Sequence, residues 1–89
     1  MKTRTVSIVN KLGLHARAAA KLVHTANDFD SEIYLCTDSE EVNAKSILGL
    51  LTLAATQGTS LTVRADGSDE VAALDRIEAL FADRFGEGE

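Results

Sequence analysis

Polar and apolar residues alternate in four stretches of the chain, and this alternation predicts β-strands with one face toward a core and the other toward water. The first stretch shows it clearly, since Val6 and Ile8 are separated by a polar serine. The four predicted strands cover residues 3–9, 31–37, 41–44 and 60–65. A polar turn at Asp38 and Ser39 separates the second strand from the third, which predicts that these two form a hairpin.

Three further stretches are predicted to be helices: two carry apolar residues at the spacing of an amphipathic helix, and the middle one is apolar nearly all round and begins at a good N-cap residue. They cover residues 16–27, 46–55 and 69–85. The first helix is predicted to turn inward Ala19, Leu22, Val23 and Ala26, and outward Arg17, Lys21, His24 and Thr25. The last is predicted to turn inward Val71, Leu74, Ile77, Leu80, Phe81 and Phe85. The tail at residues 86–89 is predicted to be frayed.

The resulting order is βαββαβα, which predicts an α+β fold of two layers. We expect a four-stranded antiparallel sheet with three helices on one face and water on the other. Residues 1–89 are predicted to form one domain, because a chain of this length builds a single core. A core this small leaves no room for a deep cleft, so we expect function to lie on the surface.

Charge and composition exclude several classes of partner and site. The formal net charge of -5 argues against nucleic acid as a partner, because phosphate backbones need clustered Lys and Arg. No apolar run is long enough for membrane insertion, and residues 1–10 lack the apolar stretch of a signal peptide, so we expect a cytoplasmic protein. Cys36 is the only cysteine, which excludes an internal disulfide and a cysteine metal cluster; we expect a buried or half-buried thiol.

His15 is the strongest candidate for chemistry. Gly13 breaks the strand pattern, and His15 then stands directly before the first helix, where the first backbone N–H groups have no carbonyl partners. Such a helix end attracts anions, and the guanidinium of Arg17 suits phosphate oxygens. The position alone is also compatible with a histidine that merely caps the helix.

Three segments decide between these readings of His15: residues 11–19 (KLGLHARAA), 43–50 (NAKSILGL) and 57–59 (QGT). They resemble the active-site segment, the second helix and the turn before the last strand of HPr, the histidine phosphocarrier family of the bacterial phosphotransferase system. The resemblance runs from the first strand to about Phe85. It implies an HPr-like open-faced sandwich that needs no cofactor and no metal.

The resemblance also implies a role for each matching residue. His15 would take a phosphoryl group through Nδ1 from phosphorylated enzyme I, in the phosphoenolpyruvate-dependent system, and pass it to a histidine of an enzyme IIA protein. Arg17 would stabilise the transferred group. The chain departs from the family at Ala18, where proline is usual, which is expected to loosen the first helical turn slightly. His24 and Asn27 replace lysines of many relatives and lower the positive charge offered to an acidic partner.

Ser46 has two predicted roles. As the N-cap of the second helix it would stabilise that helix by about 1 kcal/mol. The resemblance adds regulation, because in some relatives the matching serine is phosphorylated by HPr kinase/phosphorylase, which weakens docking to enzyme I. A phosphate at Ser46 would add negative charge to the partner surface, so such regulation is physically consistent.

The second helix is predicted to carry the docking surface. Leu50, Leu53 and Ala54 can form its buried stripe, which leaves other apolar residues exposed. The predicted contact residues are Ile47, Leu48 and Leu51 on this helix, the positive rim residues Lys21 and Lys45, and Ala16 and His24 on the first helix. For Leu51, burial under a neighbouring loop remains the alternative.

Two functions from different classes remain on the residues alone. One is a phosphocarrier; the other is a regulatory module that binds an anionic ligand or an acidic partner at the same helix end without covalent chemistry. An independent enzyme is disfavoured, because no carboxylate pair, nucleophile triad or metal constellation accompanies His15. Within the phosphocarrier reading we expect a monomer, and both the sugar-transport and the nitrogen-related branches stay open.

Overall fold

The computed structural model describes residues 1–53 and 55–86 and has the predicted order of elements. These are β1 (Lys2–Ser7), α1 (Ala16–Ala26), β2 (Glu32–Cys36), β3 (Glu41–Asn43), α2 (Ile47–Leu53), β4 (Ser60–Asp66) and α3 (Glu70–Ala82), followed by a 3₁₀ turn at Arg84–Gly86. The strands form one sheet in the order β1-β4-β2-β3, and all neighbouring pairs are antiparallel. The predicted α+β fold is confirmed.

The register of the sheet places apolar residues on one face. Val6 pairs with Leu61, and Leu35 pairs with Val63, and all four side chains are buried. The alternate positions form the polar face, where the Arg64 guanidinium lies over the Tyr34 ring at 4.9 Å and pairs with the Glu41 carboxylate at 2.5 Å. Cys36 is half-buried on this sheet, and burial raises the pKa of its thiol.

The helices cover the apolar face. α3 packs across β1 and β4, and α1 packs against both α2 and α3. The largest fully buried apolar side chains are Phe81, Phe85, Ile8, Leu22, Ile33, Leu35, Leu50, Leu61, Leu74, Ile77 and Val63. No helix within residues 1–53 and 55–86 has the length and apolar character of a membrane span.

α1 and α2 run antiparallel, as two contacts at opposite ends show. Before α1, the N–H of Leu14 donates to the carbonyl of Ala55, just past α2, at 2.9 Å. Beyond the other end of α1, the Lys45 ammonium, just before α2, donates to the carbonyl of Phe29 at 2.8 Å. The start of α1 therefore lies beside the end of α2.

Two predicted positions on the helices are wrong. Thr25 was assigned to the outer side of α1 but is buried, because the buried face consists of Ala18, Ala19, Leu22, Thr25 and Ala26. Val71 was assigned to the inner stripe of α3 but is 45% exposed. The buried stripe of α3 follows Leu74, Ile77 and Phe81, and Val71 lies on its flank.

The ends of elements also differ from the prediction. β1 spans Lys2–Ser7 and α2 spans Ile47–Leu53, and α3 stops at Ala82. Phe85 is buried as predicted, but it reaches the core from the turn after α3, with a φ of 55° and an edge-to-face contact with Phe81. Ala54, predicted as part of the stripe of α2, and residues 87–89 of the predicted frayed tail lie outside the described residues.

Candidate functional site

The segment that leads into α1 is a turn closed by two hydrogen bonds. The N–H of Gly13 donates to the carbonyl of Asn10 at 3.2 Å, and the side-chain amide of Asn10 donates to the carbonyl of Gly13 at 2.7 Å. Gly13 has a φ of +68°, which glycine adopts without the penalty of a Cβ. Asn10 is fully buried beneath the turn.

Tertiary contacts fix the position of this turn. Leu14 is buried and bonds to Ala55 through its N–H, and a Cβ added to Gly13 would stand 2.6 Å from the Ala55 oxygen. Only a glycine allows so close an approach. The backbone that leads into His15 is therefore held against the end of α2.

His15 is the N-cap of α1. Its backbone is extended, its carbonyl accepts from the N–H of Ala19 at 2.8 Å, and its Nδ1 accepts from the N–H of Arg17 at 3.3 Å. Because Nδ1 accepts, the proton of the neutral imidazole is on Nε2. The lone pair of Nδ1 thus points at the positive end of the helix.

Arg17 and its neighbours make this helix end favourable for an anion. The side chains of Ala16 and Arg17 are exposed, whereas Ala18 is fully buried in the core. The first turn of α1 contains no acidic residue. Within residues 1–53 and 55–86, the Arg17 guanidinium forms no ion pair. The backbone donors at this helix end are therefore favourable for an anion.

Ser46 caps α2, as predicted. Its Oγ accepts from the N–H of Gly49 at 3.2 Å, and its carbonyl accepts from the N–H of Leu50 at 3.1 Å. The side chain is exposed. α2 is about 10 Å long over its seven residues. Because α1 and α2 are antiparallel, Ser46 lies at the end of α2 that is away from His15.

The outer face of α2 is apolar and exposed. Leu48 is 73% exposed, Ile47 41% and Leu51 38%, whereas Leu50 and Leu53 are buried. The predicted buried residues Leu50 and Leu53 are thus separated from the predicted contact residues by their exposure. Leu51 belongs to the exposed set and is not covered by a loop. Leu51 is the member of the exposed set on the half of α2 nearer to His15.

The predicted rim residues take different roles. The Lys21 ammonium donates to the carbonyl of Phe85 at 2.6 Å and holds the turn after α3 against α1. Lys45 is half-buried and ties the end of α1 to α2. His24 is exposed in the last turn of α1, and Asn27 is the exposed C-cap. Both lysines bind backbone carbonyls of their own chain.

The sequence analysis assigned no role to Asn10 or Leu12. Asn10 closes the turn described above, and Leu12 is 69% exposed at its tip. An asparagine three residues before a glycine is a recognised turn signal and could have predicted the turn. Its burial depends on packing that no local pattern reveals.

Proteins with similar sequences are named as phosphocarriers. Residues 2–83 match the family model described as the PTS HPr component phosphorylation site. Phosphocarrier protein HPr of Cupriavidus necator is 49% identical over 89 residues, covering 100% of both chains. Phosphocarrier protein HPr of Xylella fastidiosa is 52% identical over 87 residues, covering 98% of both. Phosphocarrier protein NPr of Shewanella violacea is 48% identical over 84 residues, covering 94% of this chain and 92% of that one.

Solved structures agree with these relatives. The crystal structure of HPr-C-His from Thermoanaerobacter tengcongensis matches with a TM-score of 0.96 at 44% identity and covers 100% of both chains. A structure of an HPr dimer from the same organism matches with a TM-score of 0.78 at 45% identity, covering 98% of this chain and 100% of that one. The chain therefore belongs to the HPr family, the phosphocarrier proteins of the phosphotransferase system.

Proposed function

We propose that this chain carries a phosphoryl group on Nδ1 of His15, taken from phosphorylated enzyme I and delivered to a histidine of an enzyme IIA protein. The observation that supports this proposal most directly is the hydrogen bond from the Arg17 N–H to Nδ1. This bond aims the lone pair of Nδ1 at a helix end that attracts anions. The chain is a carrier with a covalent phosphohistidine intermediate.

The transfer needs no further group. As the Arg17 N–H releases Nδ1, the Nδ1 lone pair attacks the phosphorus of a protonated donor phosphohistidine. The donor's phosphorus–nitrogen bond breaks, its electron pair returns to the donor ring, and that ring leaves as neutral imidazole. His15 becomes a phosphorylated imidazolium that keeps its Nε2 proton until it is lost to solvent. The released Arg17 N–H is then free to donate to a phosphoryl oxygen, which lies two bonds from Nδ1. The Arg17 guanidinium neutralises charge on the same group, so the step relies on positioning and electrostatics.

The docking surface in this proposal is formed by α1 and α2. The exposed apolar residues Ile47, Leu48 and Leu51 supply the contact area, and Ala16, Lys21, His24 and Lys45 form its edge on the side of α1. Enzyme I and enzyme IIA use this surface in turn, so a cytoplasmic monomer suffices. A single species at the monomer mass in light scattering would support the monomer; the related HPr dimer makes a dimer the alternative outcome.

We also propose that Ser46 is a regulatory site for HPr kinase/phosphorylase. Its hydroxyl is exposed at the start of α2, next to Ile47 and Leu48. A phosphate there keeps its backbone donors at the helix N-terminus and adds negative charge to the docking surface. Incubation with the kinase and ATP should add one phosphate that is absent in Ser46→Ala.

Labelling tests the carrier proposal. Enzyme I and phosphoenolpyruvate should add one phosphate that is acid-labile and base-stable, and His15→Ala should abolish it. The chain offers His24→Ala as a control for the site of labelling: His24 is an exposed histidine on the same helix, at the edge of the docking surface, and its loss should still leave one phosphate per chain at completion. A label that survives His15→Ala would overturn the proposal, and an unlabelled wild-type chain would favour a non-covalent anion-binding module.

A further inference from the structure

We infer that Asn10 is a positioning residue for phosphoryl transfer at His15, an inference that rests on the proposed function of His15. Asn10 is fully buried, five residues before His15, and touches the reacting group only through the intervening backbone. Its side-chain amide donates to the carbonyl of Gly13 at 2.7 Å, while its own carbonyl accepts from the Gly13 N–H at 3.2 Å. The two ends of the turn are thus locked to each other twice.

The locked turn passes its position directly to His15. Gly13 lies against Ala55 too closely for any Cβ, and the next residue, Leu14, bonds to the Ala55 carbonyl and enters the core. His15 follows and begins α1. The direction of the imidazole therefore depends on the backbone of the preceding turn, which the Asn10 side chain holds through its hydrogen bond to Gly13.

The side-chain amide matters because the groups around it are buried. Gly13 is buried, so a truncated Asn10 would remove a donor from its carbonyl in a place where water replaces it poorly. Without this hydrogen bond, the backbone of Gly13 is held less firmly at its φ of +68°. Misplacement of a reacting group by about 1 Å can slow a reaction by about 100-fold, so even a small shift of His15 is expected to affect transfer.

A role in positioning is separable from a role in folding, because the chain offers a matched buried residue. Ser31 is also fully buried and polar, and its hydroxyl bonds to Asp69 at 2.5 Å. It lies past the opposite end of α1, which is about 16 Å long over eleven residues. Loss of Ser31 should destabilise the fold without moving His15.

The experiment compares wild type, Asn10→Ala, Asn10→Asp and Ser31→Ala. Asparagine and aspartate have the same shape, but an ionised aspartate cannot donate to Gly13. Transfer from phosphorylated enzyme I is measured over a range of carrier concentrations, at a temperature where each variant used is folded. For both Asn10 variants we expect a maximal rate lower by about tenfold and a half-saturating concentration within about twofold of wild type. Ser31→Ala should keep both values.

The amide proton of Arg17 provides a second measurement that does not depend on enzyme I. Its chemical shift reports the bond to Nδ1 of His15, so it should change in either Asn10 variant and stay unchanged in Ser31→Ala. If one Asn10 variant does not fold, the transfer rate and the Arg17 chemical shift are both measured on the other variant.

Wild-type rates in the Asn10 variants, an equal slowing in Ser31→Ala, or a changed half-saturating concentration alone would overturn the inference. Each of these results leaves phosphorylation of His15 intact. A wild-type chain that accepts no phosphate would instead contradict the proposed function.

Discussion

Gly13 and Ala55 are in closer contact than any other residue type at position 13 would allow. A Cβ on Gly13 would lie 2.6 Å from the Ala55 oxygen and 3.0 Å from the Cα of Thr56. Both neighbours are backbone atoms, which cannot rotate away as a side chain would. The contact joins the segment before His15 to the end of α2, so the candidate phosphorylation site and the helix with the exposed leucines form one unit.

This contact predicts a large effect of Gly13→Ala. The left-handed φ and the clash should together lower the free energy of unfolding by about 3 kcal/mol. Gly58→Ala is the control, because Gly58 has a φ of +91° with nothing within 4 Å of an added Cβ, and should lose only about 1 kcal/mol from backbone strain. Urea unfolding measures both. Equal losses would mean that the approach to Ala55 is unimportant.

Leu48 tests the docking surface. Because its side chain is 73% exposed, Leu48→Asp should leave the melting temperature nearly unchanged while raising the half-saturating concentration for transfer from enzyme I by about tenfold. Val71→Asp makes the same change at an exposed valine on α3 and should affect neither transfer nor stability. If both variants behave alike in transfer assays, α2 is not the contact helix.

Ser46 allows the cap and the added charge to be separated. Ser46→Ala removes the acceptor for the Gly49 N–H and should lower the free energy of unfolding by about 1 kcal/mol without slowing transfer. Ser46→Asp keeps a good N-cap, so stability should hold while docking to enzyme I weakens. Denaturation and transfer kinetics check the two effects. Full docking affinity in Ser46→Asp would argue against regulation by charge.

Asp69 makes stability depend on pH. Its carboxylate accepts from the Ser31 hydroxyl and from the N–H groups of Asp30 and Ser31, which hold its pKa below the usual range of an aspartate. A carboxylate with a lowered folded pKa stabilises the fold above its unfolded pKa of about 3.9, and this contribution is lost as the pH falls through the folded pKa.

Asp69→Asn should therefore lower the melting temperature at neutral pH and flatten its decline on acidification. Asp38→Asn, at the exposed turn between β2 and β3, serves as the control and should change neither. Melting curves from neutral to strongly acidic pH give the comparison. An Asp69→Asn curve parallel to wild type throughout would contradict this account of Asp69.

The sequence predicted the order of elements because alternation and helical spacing are local properties. It misplaced Thr25 because the buried face of α1 meets two other helices and widens to include Thr25 beside the partly buried Val23. Phe85 was predicted to be buried within a helix, whereas the chain turns after Ala82 and brings Phe85 back against Phe81. Neither outcome follows from spacing alone.

The residues of the candidate site were more predictable from the sequence than the residues that hold them in place. A histidine before a helix and an arginine two residues later are visible in the sequence, and the structure gives them the expected capping geometry. The roles of Asn10 and Gly13 depend on burial beneath a turn and on contact with Ala55, 42 positions from Gly13 (55 minus 13). Such long-range contacts are properties of the fold.

The central claim is that Nδ1 of His15 receives the phosphoryl group. Nitrogen-15 NMR of chain labelled at its two histidines, before and after treatment with enzyme I and phosphoenolpyruvate, tests it most directly. We predict that Nδ1 of His15 alone couples to phosphorus, that both ring nitrogens of His15 shift, and that both nitrogens of His24 stay unchanged. A phosphorus coupling at Nε2 of His15, or at either nitrogen of His24, would contradict the account.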